Sequence, residues 1–108
     1  MANPGDLLHI LIVFQPSTEG GRTTMPFLKG GGYRPHLIVP PSEEMLGIEF
    51  IDGPEQMIAP DQPISAIARL AYQGISYTSL CPGAKFQIRE GARTVGHGCV
   101  IDLLPPSS

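Results

Sequence analysis

Charge is scarce in this chain, and so is cysteine. Charged residues make up 16 % of the sequence against 42 % hydrophobic residues, a balance that argues against a disordered chain. The two cysteines, Cys81 and Cys99, form no C-x-x-C pair, and no His-x-His pair accompanies them. No spacing therefore supports a metal site. The apolar run Leu7-Leu8-His9-Ile10-Leu11-Ile12-Val13-Phe14 is too short to span a bilayer. Asp6 is the only charged side chain ahead of it, so the basic region of a cleaved signal peptide is missing. The expectations are no membrane span, reduced thiols and a cytoplasmic location.

Nucleotide chemistry is excluded by a further absence. The chain has no Gly-x-x-x-x-Gly-Lys-Ser/Thr loop, and Gly30-Gly31-Gly32 lacks the following lysine and helix that a phosphate cradle needs. No cofactor site is expected. A Cys–His nucleophile is the one enzyme arrangement to weigh. Cys99 lies two residues from His97, which in a strand separates their Cβ atoms by about 7 Å, beyond direct hydrogen bonding for most rotamers. Cysteine is more often a buried small hydrophobe than a nucleophile, and the expectation is no catalysis.

What is abundant is turn chemistry: 13 glycines and 12 prolines in 108 residues. That length suits one domain, residues 1–108, with a loose lead-in at 1–6 and a Pro105-Pro106 tail that cannot continue a strand. Short strands are expected at 10–14, where the run is apolar enough to be buried on both faces, and at 33–39 and 47–51. Residues 64–72 carry alanines and read as a helix taken alone. Phe86-Gln87-Ile88-Arg89 opens a hairpin that turns at Glu90-Gly91-Ala92. In its second strand a period of two places Val95, His97, Cys99 and Ile101 on one face, with Thr94, Gly96 and Gly98 opposite. Glycines on one strand face are costly unless another backbone, domain or ligand lies close. Strands at this spacing, separated by turns, predict an all-β fold, a small antiparallel barrel.

The hairpin run Arg89-Glu90-Gly91-Ala92-Arg93-Thr94-Val95-Gly96-His97-Gly98-Cys99 resembles the signature of the C-terminal domain, domain III, of elongation factor Tu. A second block follows the same order: Glu19-Gly20-Gly21-Arg22-Thr23-Thr24, Pro26-Phe27, then Gly32-Tyr33-Arg34-Pro35. A weaker third is Met57-Ile58-Ala59-Pro60-Asp61. The resemblance covers residues 10 to 104. It implies a closed six-stranded Greek-key β-barrel, with 64–72 a long strand, and no GTPase activity, which belongs to another domain of that factor.

In that family the matching blocks contribute to the surface that meets the T stem of aminoacyl-tRNA, and the domain also meets protein partners. The resemblance thus implies RNA-backbone or partner contacts at Arg22, Glu90 and Gly91, with Arg34 and Arg93 beside them. The partners it implies are tRNA or a protein of the translation apparatus. The alternative is a repurposed barrel that binds a protein or small ligand outside translation. The chain departs from the family pattern at Thr23 and near Gln73, where a basic residue is usual. At His97 it has histidine at the family's inward alanine position, which calls for a wet barrel end or an internal partner.

The charge is also unevenly placed. Arg22, Lys29, Arg34, Arg89 and Arg93 lie in or between the two main blocks, while no lysine or arginine occurs between Pro35 and Ala68. That interval holds Glu43, Glu44, Glu49, Asp52, Glu55 and Asp61. If the blocks meet in space, one basic side and one acidic side are expected, a dipole able to orient a partner.

Overall fold

The computed structural model describes residues 5–22, 25–54, 59–72 and 74–104. Residues 1–4 of the 1–6 lead-in, the tail 105–108, Thr23, Gln73 and the Met57-Ile58 part of the third block lie outside the described residues. Six strands form: β1 Leu7–Phe14, β2 His36–Ile38, β3 Leu46–Asp52, β4 Ile64–Leu70, β5 Lys85–Glu90 and β6 Arg93–Leu104. They close into an antiparallel barrel in the order β1-β4-β3-β2-β5-β6. Strands β2, β3 and β4 are consecutive neighbours, and the connection 71–84 returns β5 to lie beside β2, which is the Greek-key path. Closure removes the exposed edges that invite aggregation. Among the described residues the only helical piece is a 3₁₀ turn, Ser17–Glu19. None of their helices is long and apolar enough to cross a membrane.

The core follows from the period of two. Leu8, Ile10, Ile12 and Phe14 of β1 are buried, as are Ile48 and Phe50 of β3, Ala66, Ala68 and Leu70 of β4, and Phe86 and Ile88 of β5. Strand β1 does not bury both faces as its composition suggests: Leu11 is 39 % exposed. A closed barrel has one interior, so an unbroken apolar strand still sends alternate side chains outward. Strand β4 is a strand despite its alanines. Its ladder pairs Ala66 with Ile10 and Ala68 with Leu8, and two paired neighbours outweigh a weak helix propensity.

Strand β2 is shorter than the expected 33–39 stretch. Pro35 has no N–H to donate, yet its carbonyl accepts from Ile48 N at 3.2 Å, and the Tyr33 carbonyl accepts from Phe50 N at 2.9 Å. The ladder to β3 therefore runs on past the strand's formal start.

Strand β6 corrects the expected face pattern. Val95 has no partner on β5, where Ile88 pairs with Gly96 and Arg89 with Thr94. Ile101 likewise falls between the pairs His9 with Asp102 and Ile10 with Val100. Each is a bulge, and a single extra residue reverses which face follows it. Val95 and Val100 are both in the core, so Gly96 and Gly98 point inward and His97 and Cys99 outward. His97 is neither at a wet barrel end nor internally partnered; it is exposed on the barrel wall. The close neighbour of the glycines is the backbone of β1. A Cβ on Gly96 would lie 2.6 Å from the Val13 carbonyl oxygen. One on Gly98 would lie 2.8 Å from Ile12 Cγ2 and 3.0 Å from Phe86 Cζ.

Aromatic side chains plug the two barrel ends. At the end formed by Phe14, Glu90 and Arg93, the Tyr33 ring stacks on Phe50 with centroids 5.5 Å apart and meets Phe14 at 6.2 Å. At the other end Tyr77 is fully buried. Its hydroxyl donates to the Gly47 carbonyl at 2.7 Å and accepts from Tyr72 N at 3.0 Å, so the buried phenol is satisfied.

Candidate functional site

The β5–β6 hairpin supplies one half of the site. Glu90 ends β5, Arg93 begins β6, and the pair face each other across a two-residue loop. Gly91, first in that loop, has φ +61°, the sign a type II′ turn requires at that position and one that glycine adopts without strain. The other half arrives from the long connection between β1 and β2. Gly20 closes the 3₁₀ turn at φ 87°. Downstream, the Gly30 and Gly31 amides donate to the Ile51 and Phe50 carbonyls. This stitching along β3 carries Arg22 and Tyr33 to the hairpin tip.

Glu90 is the hub. Its Oε2 accepts from Arg22 Nη1 at 2.5 Å and from the Tyr33 hydroxyl at 2.6 Å, and its Oε1 lies 3.6 Å from Arg93 Nη2. The Arg22 guanidinium carbon also sits 5.1 Å from the Tyr33 ring centroid, within cation–π range. Partial burial pushes the Glu90 carboxyl up. The hydrogen bonds from Tyr33 and Arg22, with the charges of Arg22 and Arg93, outweigh it and hold Glu90 below the usual carboxylate range. Burial first, and then the bond to Glu90, raise the Tyr33 phenol far above its ordinary value. The Glu90 hydrogen bond likewise raises the Arg22 guanidinium. At neutral pH the cluster is two guanidiniums and one carboxylate, with a phenol that stays protonated.

Of the expected site residues, the fold brings together Arg22, Glu90, Gly91 and Arg93. Arg34 stands apart: its Nε donates to the Gly31 carbonyl at 3.0 Å and lies 3.4 Å from Glu49 Oε2. Glu49 also receives Arg69 Nη1 at 2.6 Å, and Lys29 Nζ is 3.3 Å from Asp52 Oδ1. The expected separation into a basic and an acidic side is therefore not what forms. Because the 15–35 connection runs along β3, the carboxylates of β3 come to lie among the basic residues of that connection.

Sequence reasoning missed Tyr33 as a site residue, though it stood in the quoted Gly32-Tyr33-Arg34-Pro35 block. Phe27 was also passed over. It is 63 % exposed and shares a shallow depression of about 310 Å³ with Arg22, Lys29 and Tyr33. Its signal was an apolar aromatic between Pro26 and Lys29 in a loop that buries its neighbours Pro26 and Leu28.

No family model matches the chain. Metal chemistry finds no constellation among the described residues, where no group of three or more His, Cys, Asp or Glu side chains converges. His9 Nε2 is bonded to Ser65 Oγ at 2.5 Å, and the His36 ring stacks near Tyr72 at 6.3 Å. His97 and Cys99 share the outer wall of β6, and no hydrogen bond joins them.

Proposed function

We propose that the chain is a non-catalytic binding module, similar to domain III of elongation factor Tu, which meets the backbone of folded RNA such as tRNA at the Arg22–Glu90–Gly91–Arg93 end of the barrel. One observation supports this reading above the others: two blocks separated by some seventy positions in the chain meet at one carboxylate, through Arg22–Glu90 and Tyr33–Glu90. Arg93, with its side chain 55 % exposed, is the cation with reach into solvent. The Gly91 turn offers a close approach free of side-chain bulk. Backbone recognition asks only for charge, donors and shape, which is how A-form RNA is read. The reading includes a cytoplasmic setting and no nucleotide site.

The experiment is titration of folded tRNA at low salt, with Arg93→Glu and Arg69→Glu compared. With two or three phosphate contacts, log affinity should fall against log salt with a slope of about −2. Arg93→Glu should weaken binding and Arg69→Glu should not. Absence of binding, or equal behaviour of the two variants, removes the RNA reading.

A second reading is a barrel that binds a protein or small ligand outside translation. The observation in its favour is the ion pairing itself. Arg22, Lys29, Arg34 and Arg93 each lie within 4 Å of a carboxylate, which lowers the net field available to a polyanion.

A further inference from the structure

Of the seven basic residues, five lie within ion-pair distance of a carboxylate: Arg22, Lys29, Arg34, Arg69 and Arg93. The two that do not, among the described residues, are Lys85 and Arg89. Both stand on the outer face of β5, four positions apart, with Gln87 between them. Arg89 rests on the Gln87 side chain, at 2.9 and 3.2 Å, and Lys85 is exposed. Across β6 from this basic ridge, the outer wall is largely apolar. A groove of about 300 Å³ is lined by Leu11, Val13, Pro63, Lys85, His97 and Cys99. Register explains its composition: Leu11 pairs with Cys99 and Val13 with His97, while Lys85 pairs with Cys99 from the other side. Leu11 at 39 % and Ile101 at 44 % exposure are outward apolar side chains on adjacent strands.

We infer that this wall, the outer face of β1, β6 and β5, docks an acidic protein segment that places an aliphatic side chain in the Leu11–Val13–Cys99 groove and a carboxylate on Lys85. Charge complementarity selects the sign. Among the described residues Lys85 and Arg89 are the basic groups outside any ion pair, and an exposed cation beside an apolar floor favours a partner that brings the opposite charge. The position of Glu43 selects the side: it lines the groove on the β2 flank of the ridge and repels a carboxylate there, so the β6 flank is the one that accepts it. The lining selects the class. Single-stranded RNA is held by successive aromatic stacking platforms, whereas here a single ring, His97, stands among Leu11, Val13 and Pro63. Closure of the barrel also rules out strand addition, so the partner must be read by side chains on a face. The groove shares no lining residue with the Arg22–Glu90–Gly91–Arg93 cluster, and this inference does not rest on the RNA reading.

The test is amide NMR titration with two synthetic peptides, one alternating glutamate with leucine and a twin alternating lysine with leucine. The glutamate peptide should shift the amides of Leu11, Val13, Lys85, His97, Gly98 and Cys99 saturably. The lysine twin should bind at least roughly tenfold more weakly, because like charges then face each other. Lys85→Glu should invert that preference, and Leu11→Asp should abolish both. Alkylation gives an independent readout: bound peptide should slow the reaction of Cys99 and leave exposed Cys81 unchanged. Equal binding of the two peptides, shifts that map elsewhere, an unaltered preference in Lys85→Glu, or an RNA oligonucleotide that shifts the same amides overturns the inference. Lys85 is an exposed surface residue, so its variant keeps the test decisive should Leu11→Asp fail to fold.

Discussion

Arg22 and Tyr33 end on the same carboxylate oxygen, Glu90 Oε2, while the guanidinium also lies over the phenol ring at 5.1 Å. One acceptor thereby fixes the 15–35 connection to the β5–β6 hairpin. Tyr33 transmits that tie into the core through its stack on Phe50. The cluster is a structural clasp as well as a candidate recognition surface, and variants must separate the two roles.

Glu90→Gln should destabilise the barrel by about 1–3 kcal/mol, since a partly buried guanidinium loses its charge-assisted acceptor. Tyr33→Phe should cost less, about 1 kcal/mol, because the ring stack survives and a single hydrogen bond is lost. Urea unfolding of the two variants beside the wild type measures both. Equal stability of Glu90→Gln and the wild type would remove the clasp.

Stability should depend on Glu90 at acid pH. Its carboxyl is held below the usual range in the folded chain, so the unfolded state binds the proton first as pH falls. The contribution is complete above the unfolded carboxylate range and disappears as pH drops through the lowered folded value. Urea midpoints measured from neutral pH downward should fall more steeply for the wild type than for Glu90→Gln. Parallel curves would show that other carboxylates carry the acid limb.

Gly98→Ala should destabilise by about 1–3 kcal/mol, the usual range for overpacking, because the new methyl meets the Leu11 carbonyl and the Ile12 and Phe86 side chains. Gly32→Ala is the control. Nothing lies within 4 Å of its added Cβ, and it should be neutral or mildly stabilising through a stiffer unfolded chain. Thermal unfolding of both resolves the contrast, and a tolerant Gly98 would mean that β1 and β6 are able to separate.

Calorimetry with GTP and GDP should show no saturable heat, given a chain without a phosphate loop. Cys99→Ser should leave any hydrolytic activity of a preparation unchanged. A stoichiometric burst with a thiol-directed substrate that is lost in Cys99→Ser would instead assign the residue a nucleophilic role.

Much of the barrel was legible in the chain itself. Alternation at Ile48–Phe50 and Phe86–Ile88, the turn at Glu90-Gly91-Ala92, and the spacing of short apolar runs are local signals, and local backbone chemistry decides them. Three matters were left to the tertiary structure. The two bulges in β6 come from fitting one long strand to two neighbours of different register, and the one at Val95 turns His97 and Cys99 outward. The ion pairs of Glu49 with Arg34 and of Asp52 with Lys29 come from laying the 15–35 connection along β3, which mixes charges that the sequence keeps apart. Among the described residues Lys85 and Arg89 are the cations left outside an ion pair once the others have met their carboxylates, because pairing is a property of distances in space that no spacing along a chain contains.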